Sequence, residues 1–306
     1  MFTAVKQSTC DFGKEQQMKN KAIILIVLAG ILWGTSGIFV HVLAPLGLTS
    51  MHMTTIRSTV SAFCMIAYAL IKDRTMFKIN KKAILLSVIS GGAVFFTAFS
   101  YYASMQLTSV STAVMLMYTS PIFIMAVSVA FMGEKLTRSK LIAVALMIAG
   151  CVFVSGVIGS MEYNLAGIAL GFVSSIAYST YNIVAKFQMK NKTSPLSACM
   201  YCYIFMAIIS LAVSKPAGIA VVALNNPSYV WVMIGCGVCT CVLPYFLYTI
   251  SLKFLPVGTA SALSIVEPMA ATFFSITLLG EKINFYSVCG IVLVLSAVFL
   301  LSRVEE

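Results

Sequence analysis

Apolar runs of about twenty residues follow one another along the whole chain, and they constrain the fold more than any other feature. Roughly 20 apolar residues in a helix are needed to cross about 30 Å of hydrocarbon. Ten such runs are read, over residues 22–44, 50–71, 83–103, 108–132, 140–158, 165–187, 195–213, 228–250, 257–279 and 285–302. The connections are short. The longest, 214–227, holds Lys215, Pro216, Asn225, Asn226 and Pro227, so no soluble domain fits between the runs. In lipid each spanning segment must satisfy its own backbone polar groups, which favours helices. The expected fold class is therefore an all-α polytopic membrane protein of ten transmembrane helices.

Charge supports that reading. Only 9% of the residues are charged, against about 25% in soluble domains. The net charge of +11 does not form one basic face, as a nucleic-acid surface requires. With the N-terminus in the cytoplasm, 17 of the 20 Lys and Arg fall on the cytoplasmic side: Lys6, Lys14, Lys19, Lys21, Lys72, Arg74, Lys78, Lys81, Lys82, Lys135, Arg138, Lys140, Lys186, Lys190, Lys192, Lys253 and Arg303. Lys215 and Lys282 fall outside, and Arg57 lies inside a span. This split follows the positive-inside rule and places both termini in the cytoplasm of a cell-membrane protein. Residues 1–21 are polar, with no small-residue cleavage site after a short apolar core, so no cleaved signal peptide is expected.

The chain also repeats itself. At a shift of 147 residues, Tyr101 falls on Tyr248, Thr112-Ala113 on Thr259-Ala260, Pro121 on Pro268, and Gly133-Glu134-Lys135 on Gly280-Glu281-Lys282. Between 101–154 and 248–301, 12 of 54 positions are identical without a gap. The expected division is a cytoplasmic segment 1–21, a first five-helix repeat 22–158, a second repeat 159–302 and a tail 303–306. Five is odd, so the second repeat enters the membrane from the opposite side. Inverted repeats are a recurrent plan for secondary transporters, with the substrate site near midplane where the halves meet.

Three features together resemble a known family: Trp33-Gly34 in the first run, Pro121 followed by Gly133-Glu134, and Glu267-Pro268 followed by Gly280-Glu281. The chain from about residue 21 onward is similar to the EamA-type ten-helix members of the drug/metabolite transporter superfamily. The resemblance implies that helices one to four and six to nine ring a central cavity, with five and ten packed to the side. It also implies transport of amino acids or other small metabolites, often outward, without ATP hydrolysis. The chain has no G-x-x-x-x-G-K-[ST] phosphate loop.

Several residues then stand out as candidates for the work. Glu267 is the only acid deep in a run, and an unpaired charge there costs at least about 2.5–3.5 kcal/mol. It binds a substrate amine or a proton, or it caps backbone groups freed by Pro268. Arg57 either grips a substrate carboxylate bidentately or packs as a snorkelling or paired side chain. Pro121, Pro244 and Pro268 lie mid-run and mark expected helix breaks. Trp33, Tyr118, Tyr178 and Tyr181 suit an aromatic wall for apolar or cationic metabolites. Thr35, Ser36 and Asn182 are candidates for orienting hydrogen bonds. Trp33 falls on Tyr178 at a shift of 145.

The remaining features have plainer readings. Gly30-x-x-x-Gly34 and Gly167-x-x-x-Gly171 permit close helix approach, within the chain or in a homodimer. Glu134 and Glu281 read as interfacial caps beside Lys135 and Lys282, and His41 and His52 lie near the outer face. The nine cysteines read as small packing residues, including Cys199-x-x-Cys202 and Cys236-x-x-Cys239 on predicted helices. No metal, cofactor or nucleic-acid partner is expected, and a monomer or homodimer fits. With two His, both near one surface, no nucleophile–base cluster of an intramembrane enzyme can be built. A channel's polar rings are also missing. The expected function is a secondary carrier of amino acids or similar metabolites by alternating access, in the export direction, with a proton as candidate coupling ion. An uncoupled facilitative carrier and an efflux carrier for amphipathic drugs or amines stay open.

Overall fold

The computed structural model describes residues 2–132, 137–154, 164–251, 254–255, 263 and 266–304, and every element among them is a helix. In the first half these are α1 (Phe2–Gly34), α2 (Ser36–Leu43), α3 (Ser50–Ile71), α4 (Lys81–Leu107), α5 (Val110–Met117), α6 (Ser120–Met132) and α7 (Arg138–Val154). In the second they are α8 (Leu165–Lys190), α9 (Pro195–Val213), α10 (Ala217–Asn225), α11 (Tyr229–Gly237), α12 (Leu243–Ser251), α13 (Val266–Thr277) and α14 (Phe285–Val304).

Among the described residues, seven segments are long and apolar enough to cross a membrane: Gln17–Leu46, Ser50–Ile71, Lys81–Leu107, Val110–Val127, Leu165–Lys190, Pro195–Val213 and Tyr229–Ser251. Each matches one of the ten expected spans. Of the other three, α14 carries a shorter apolar stretch, Phe285–Leu300. The spans expected at 140–158 and 257–279 run partly through residues outside those described, as does the expected boundary at 158/159. Two local expectations change. The polar segment before residue 22 is helical and continuous with the first span. The longest connection, 214–227, folds into α10, which lays Gly218 against the His52 ring.

Large side chains such as Phe63, Ile71, Leu85 and Leu165 point outward, where lipid is the solvent. Inside, fully buried large side chains such as Met115, Leu116 and Tyr102 are interleaved with many buried serines and threonines. Lipid tails are as apolar as leucine, so burial does not drive helices together there, and close van der Waals approach must. Ser87, Thr97 and Ser210 donate to carbonyls three or four residues back in their own helices, which satisfies each hydroxyl locally. Between helices, the Ser58 and Ser210 hydroxyls meet at 2.8 Å, and the Gln188 amide donates to Ser87 Oγ at 2.9 Å.

The helix pairing is symmetric under exchange of the two halves. α4 packs on α8 as α12 packs on α1. α5 and α6 pack on α8 as α13 packs on α1. α4 meets α9 as α11 meets α3. The pairs α3–α9 and α7–α14 map onto themselves.

Atomic contacts repeat this correspondence. A Cβ on Gly30 would lie 3.1 Å from Glu267 N, and one on Gly34 would lie 3.1 Å from Glu267 O. At the shift of 145, Gly30 and Gly34 fall on Ser175 and Ser179. The Ser175 hydroxyl meets Thr119 Oγ1 at 2.9 Å, and the Ser179 hydroxyl donates to Ser120 O at 2.9 Å. At the shift of 147, Thr119 and Ser120 fall on Val266 and Glu267. The first Gly-x-x-x-Gly is thus an intramolecular seat for α13, and two serines serve the matching contact in the other half. Gly167 and Gly171 in turn seat α8 against Thr108 and Leu116.

This seat has little slack. A Cβ on Gly34 would fall 2.8 Å from both Ala270 Cβ and Ala271 N. Gly34→Val should destabilise the detergent-solubilised protein by about 1–3 kcal/mol, the usual penalty of overpacking, as read by thermal unfolding. Gly92→Ala, whose Cβ would meet only Ile209 Cδ1 at 3.9 Å, should leave the midpoint almost unchanged.

Candidate functional site

Helix interruptions build the interior. The first lies at Thr35, between α1 and α2. The Thr35 hydroxyl donates to Leu32 O at 2.6 Å and the Ser36 hydroxyl to Trp33 O at 2.7 Å, so side chains support the turn's carbonyls. The second lies at Tyr118-Thr119, between α5 and α6. Proline has no N–H to continue the ladder, and the break comes two residues before Pro121. There the Thr119 hydroxyl donates to Leu116 O at 2.6 Å. The third is a wide turn of π-helix, Val238–Val242, just before Pro244. The residues preceding Val266, where a break at Pro268 would show, lie outside those described.

The break at Tyr118 aims its phenol across the interior. Tyr118 OH donates to Glu267 Oε2 at 2.8 Å, joining the two halves. Glu267 is half-buried, on the face of α13 that α1 approaches through Gly30 and Gly34. Tyr101 and Tyr178 lie within electrostatic range of its carboxylate. Trp33 meets Tyr248 with ring centroids 6.0 Å apart, and Tyr248 lies within electrostatic range of Tyr178. Tyr178 and Tyr181 are 6.1 Å apart on α8, and Tyr181 lies within electrostatic range of Cys199, Cys202 and Tyr245.

Arg57 is held from three sides. Its Nε donates to Cys241 Sγ at 2.7 Å, Nη1 to Tyr102 OH at 3.3 Å, and Nη2 to Thr240 O at 3.2 Å. The guanidinium carbon also lies 5.9 Å from the Tyr102 ring centroid. The last bond explains Pro244. In an α-helix the carbonyl of Thr240 would pair with the N–H of residue 244, and proline has none. The Thr240 carbonyl accepts from Arg57 Nη2. Arg57 lies within electrostatic range of Glu267, with the neighbouring tyrosines 101 and 102 beside them.

The other expected site residues are placed more modestly. The Asn182 amide donates to Tyr178 O one turn back, at 2.7 Å, while the hydroxyls of Thr35 and Ser36 serve the carbonyls at the end of α1. His52 helps cap α3, its Nδ1 accepting from Thr49 N at 3.3 Å. No group of three or more potential metal ligands occurs among the described residues. Sequence reasoning did not single out Tyr101, Tyr102, Tyr248 or Cys241. For Tyr101 and Tyr248 a signal existed, since the repeat aligns them. For Cys241 there was none, because one apolar-run cysteine looks like another. Glu134 lies outside the described residues.

A model of the EamA-like transporter family matches the chain twice, over residues 20–156 and 165–303. The chain belongs to the EamA-like transporter family. It is 25% identical over 280 residues to a protein of Archaeoglobus fulgidus named as an uncharacterized transporter, covering 91% of this chain and 95% of that one. It is also similar to the transporter YwfM of Bacillus subtilis (21% identity, 91% and 93% coverage). The inner membrane transporter YicL of Salmonella typhimurium matches at 21% identity, with 92% and 95% coverage. One solved crystal structure superposes with a TM-score of 0.59 at 15% identity, over 94% of this chain and 99% of that one. That likeness concerns the fold alone. As an EamA-like protein with many apolar helices, this chain is a multi-pass membrane transporter of a small-molecule substrate.

The bond between Tyr118 and Glu267 can be measured. In a double-mutant cycle of Tyr118→Phe and Glu267→Gln, unfolding in detergent should show a coupling energy of about 0.6–1.7 kcal/mol, the span found for hydrogen bonds between membrane helices. Additive effects of the two changes would mean that no such bond is made.

Proposed function

We propose that this transporter is a secondary carrier of amino acids or similar small zwitterionic metabolites. It works by alternating access across the cell membrane, with both termini in the cytoplasm, and moves its substrate outward. The observation that carries this reading is the Glu267 carboxylate, bonded by Tyr118 across the two halves and within electrostatic range of the Arg57 guanidinium. The two charges match the two ends of an amino acid. Arg57 commits three N–H donors to the protein out of the five a guanidinium offers, and its fork suits a carboxylate. Glu267 exchanges its phenol donor for the ammonium group. The tyrosines around it offer π-faces to the same cation.

The repeat supports the mechanism. An odd number of spans per half inverts the second half, and the exchange-symmetric pairing of helices supports two states of similar energy, one open to each side. Glu267 is also the coupling group in this reading. It holds either the substrate amine or a proton, so substrate leaving on one side is followed by a proton on the return. The aromatic surround favours one second reading, efflux of amphipathic amines, in which Arg57 plays no direct part.

Purified protein in liposomes distinguishes these readings. Radiolabelled amino acids should show saturable uptake and counterflow. Glu267→Gln should abolish stimulation by a pH gradient and weaken amino-acid exchange as well, since the same carboxylate binds the substrate ammonium in this reading. Arg57→Met should weaken uptake of carboxylate-bearing substrates by about 1.5–3 kcal/mol, the range for hydrogen bonds to charged groups, or roughly ten- to hundredfold. Uptake of amines without a carboxylate should be unchanged. Equal loss for both classes favours a packing role for Arg57, and saturable flux of amines alone favours the efflux reading.

A further inference from the structure

The short helix α5 is held at both ends by carboxylates from a single stretch of the other half. Its C-terminal neighbour, Tyr118, is bonded to Glu267. At its N-terminus, Val110 N donates to Glu281 Oε1 at 2.6 Å and Ser111 N donates to Glu281 Oε2 at 3.4 Å. The Ser111 hydroxyl donates to the same Oε2 at 3.1 Å and meets Ser275 Oγ, on α13, at 2.7 Å. Exposed N–H groups and the helix dipole both favour a carboxylate at this end.

Local chain geometry delivers Glu281 there. Gly280 has φ 68°, a left-handed conformation that glycine adopts freely. It turns the chain after α13, and Glu281 N donates back to Ser275 O at 2.9 Å. The Gly-Glu pair is therefore a device: the glycine makes the turn and the glutamate reaches across to the other half.

The location gives the contact a consequence. Gly37 has no room for a Cβ against the Val110 methyls, and it lies seven residues beyond Gly30, which touches Val266 and Glu267. At the rise of an α-helix that is roughly 10 Å along the first span. Beyond the Glu281 contact lies an open cavity of about 740 Å³, lined in part by His41, Ser50, Gln106, Val110 and Glu281. Val110 and Glu281, which make this contact, both line that cavity.

We propose that Glu281 and the N-terminus of α5 form a releasable latch on the His41 side of the transporter, closed in this structure. α5 is the rod that links the latch to Glu267. A ligand that displaces Tyr118 from Glu267 frees one end of the rod, and opening of this side requires Glu281 to release the other. This goes beyond the carrier reading and rests on it only for the transport arm of the test.

Two measurements probe it. Hydrogen–deuterium exchange of the full chain in lipid nanodiscs needs no substrate. With Glu281→Ala, peptides covering 108–117 should exchange at least tenfold faster than in the wild type, while peptides of α4 and α14 stay unchanged. Unchanged protection of 108–117 overturns the latch, and so does faster exchange throughout the chain. For the second, Ser111→Cys and Ser275→Cys are combined and oxidised with copper–phenanthroline, which takes both thiol hydrogens and joins the sulfurs. Counterflow of a radiolabelled amino-acid mixture in liposomes should stop on oxidation and return with dithiothreitol, with the oxidised wild type as control. Full counterflow with the disulfide in place overturns the need for opening. Absence of flux in the wild type itself speaks against the carrier reading, and the exchange arm still decides the latch.

Discussion

Hydrocarbon offers no water to a broken helix, and the rest of this structure follows from how that constraint is met. A helix that stops in mid-membrane leaves carbonyl and amide groups that cost several kcal/mol each if unpaired. The described interruptions each bring a partner. Thr35, Ser36 and Thr119 serve the carbonyls of Leu32, Trp33 and Leu116. Arg57 takes the Thr240 carbonyl at the turn before Pro244. Such backbone is tolerated only where protein or a cavity surrounds it, so the interruptions themselves mark the enclosed polar interior. Tyr118 occupies one of them, which is why its phenol reaches Glu267 rather than packing along a helix.

The two halves share a scaffold but differ in chemistry at matched places. Gly30 and Gly34 give α13 its close seat, while Ser175 and Ser179 bond the corresponding backbone around Thr119 and Ser120. The glycines lie on the side where the larger residue, Glu267, replaces Ser120 in the alignment. A serine at position 34 would meet Ala270 and Ala271 at distances real Cβ atoms do not tolerate. Repetition fixes the crossing of helices, and the exchange of small residues between halves makes space for a single carboxylate.

Much of this was legible in the sequence, for identifiable reasons. Apolar run length reports the solvent, so seven described spans fall where expected. The shift of 147 aligned the prolines and the Gly-Glu pairs, and at Gly280 the left-handed φ of 68° shows why glycine is needed there. Glu267 stood out because a lone deep acid needs an explanation. What stayed hidden depended on tertiary approach. Glu281 reads as an ordinary cap beside Lys282, and it is a cap, but of a helix 170 residues away in sequence. Arg57 offered two readings because sequence does not show that Pro244 frees a carbonyl facing it. The segment 214–227 looked like a loop on its Pro and Asn content, yet Ala217–Asn225 between those residues is helical.

Glu267 and Glu281 lie on one continuous stretch of the second half, α13 and the turn that ends it, and both grip α5 of the first. Contacts at the two ends of a rigid helix cannot be altered independently when the helix has only eight residues. Neutralising or occupying Glu267 weakens the bond to Tyr118, which leaves the bonds of Val110 and Ser111 to Glu281 as the main polar grip of the second half on α5. Differential contacts of this kind are what a ligand needs to shift a two-state equilibrium, since equal affinity for both states shifts nothing. The asymmetry of the repeat therefore bears on mechanism as well as recognition. In the carrier reading, loading Glu267 changes how firmly the two halves hold each other through Tyr118.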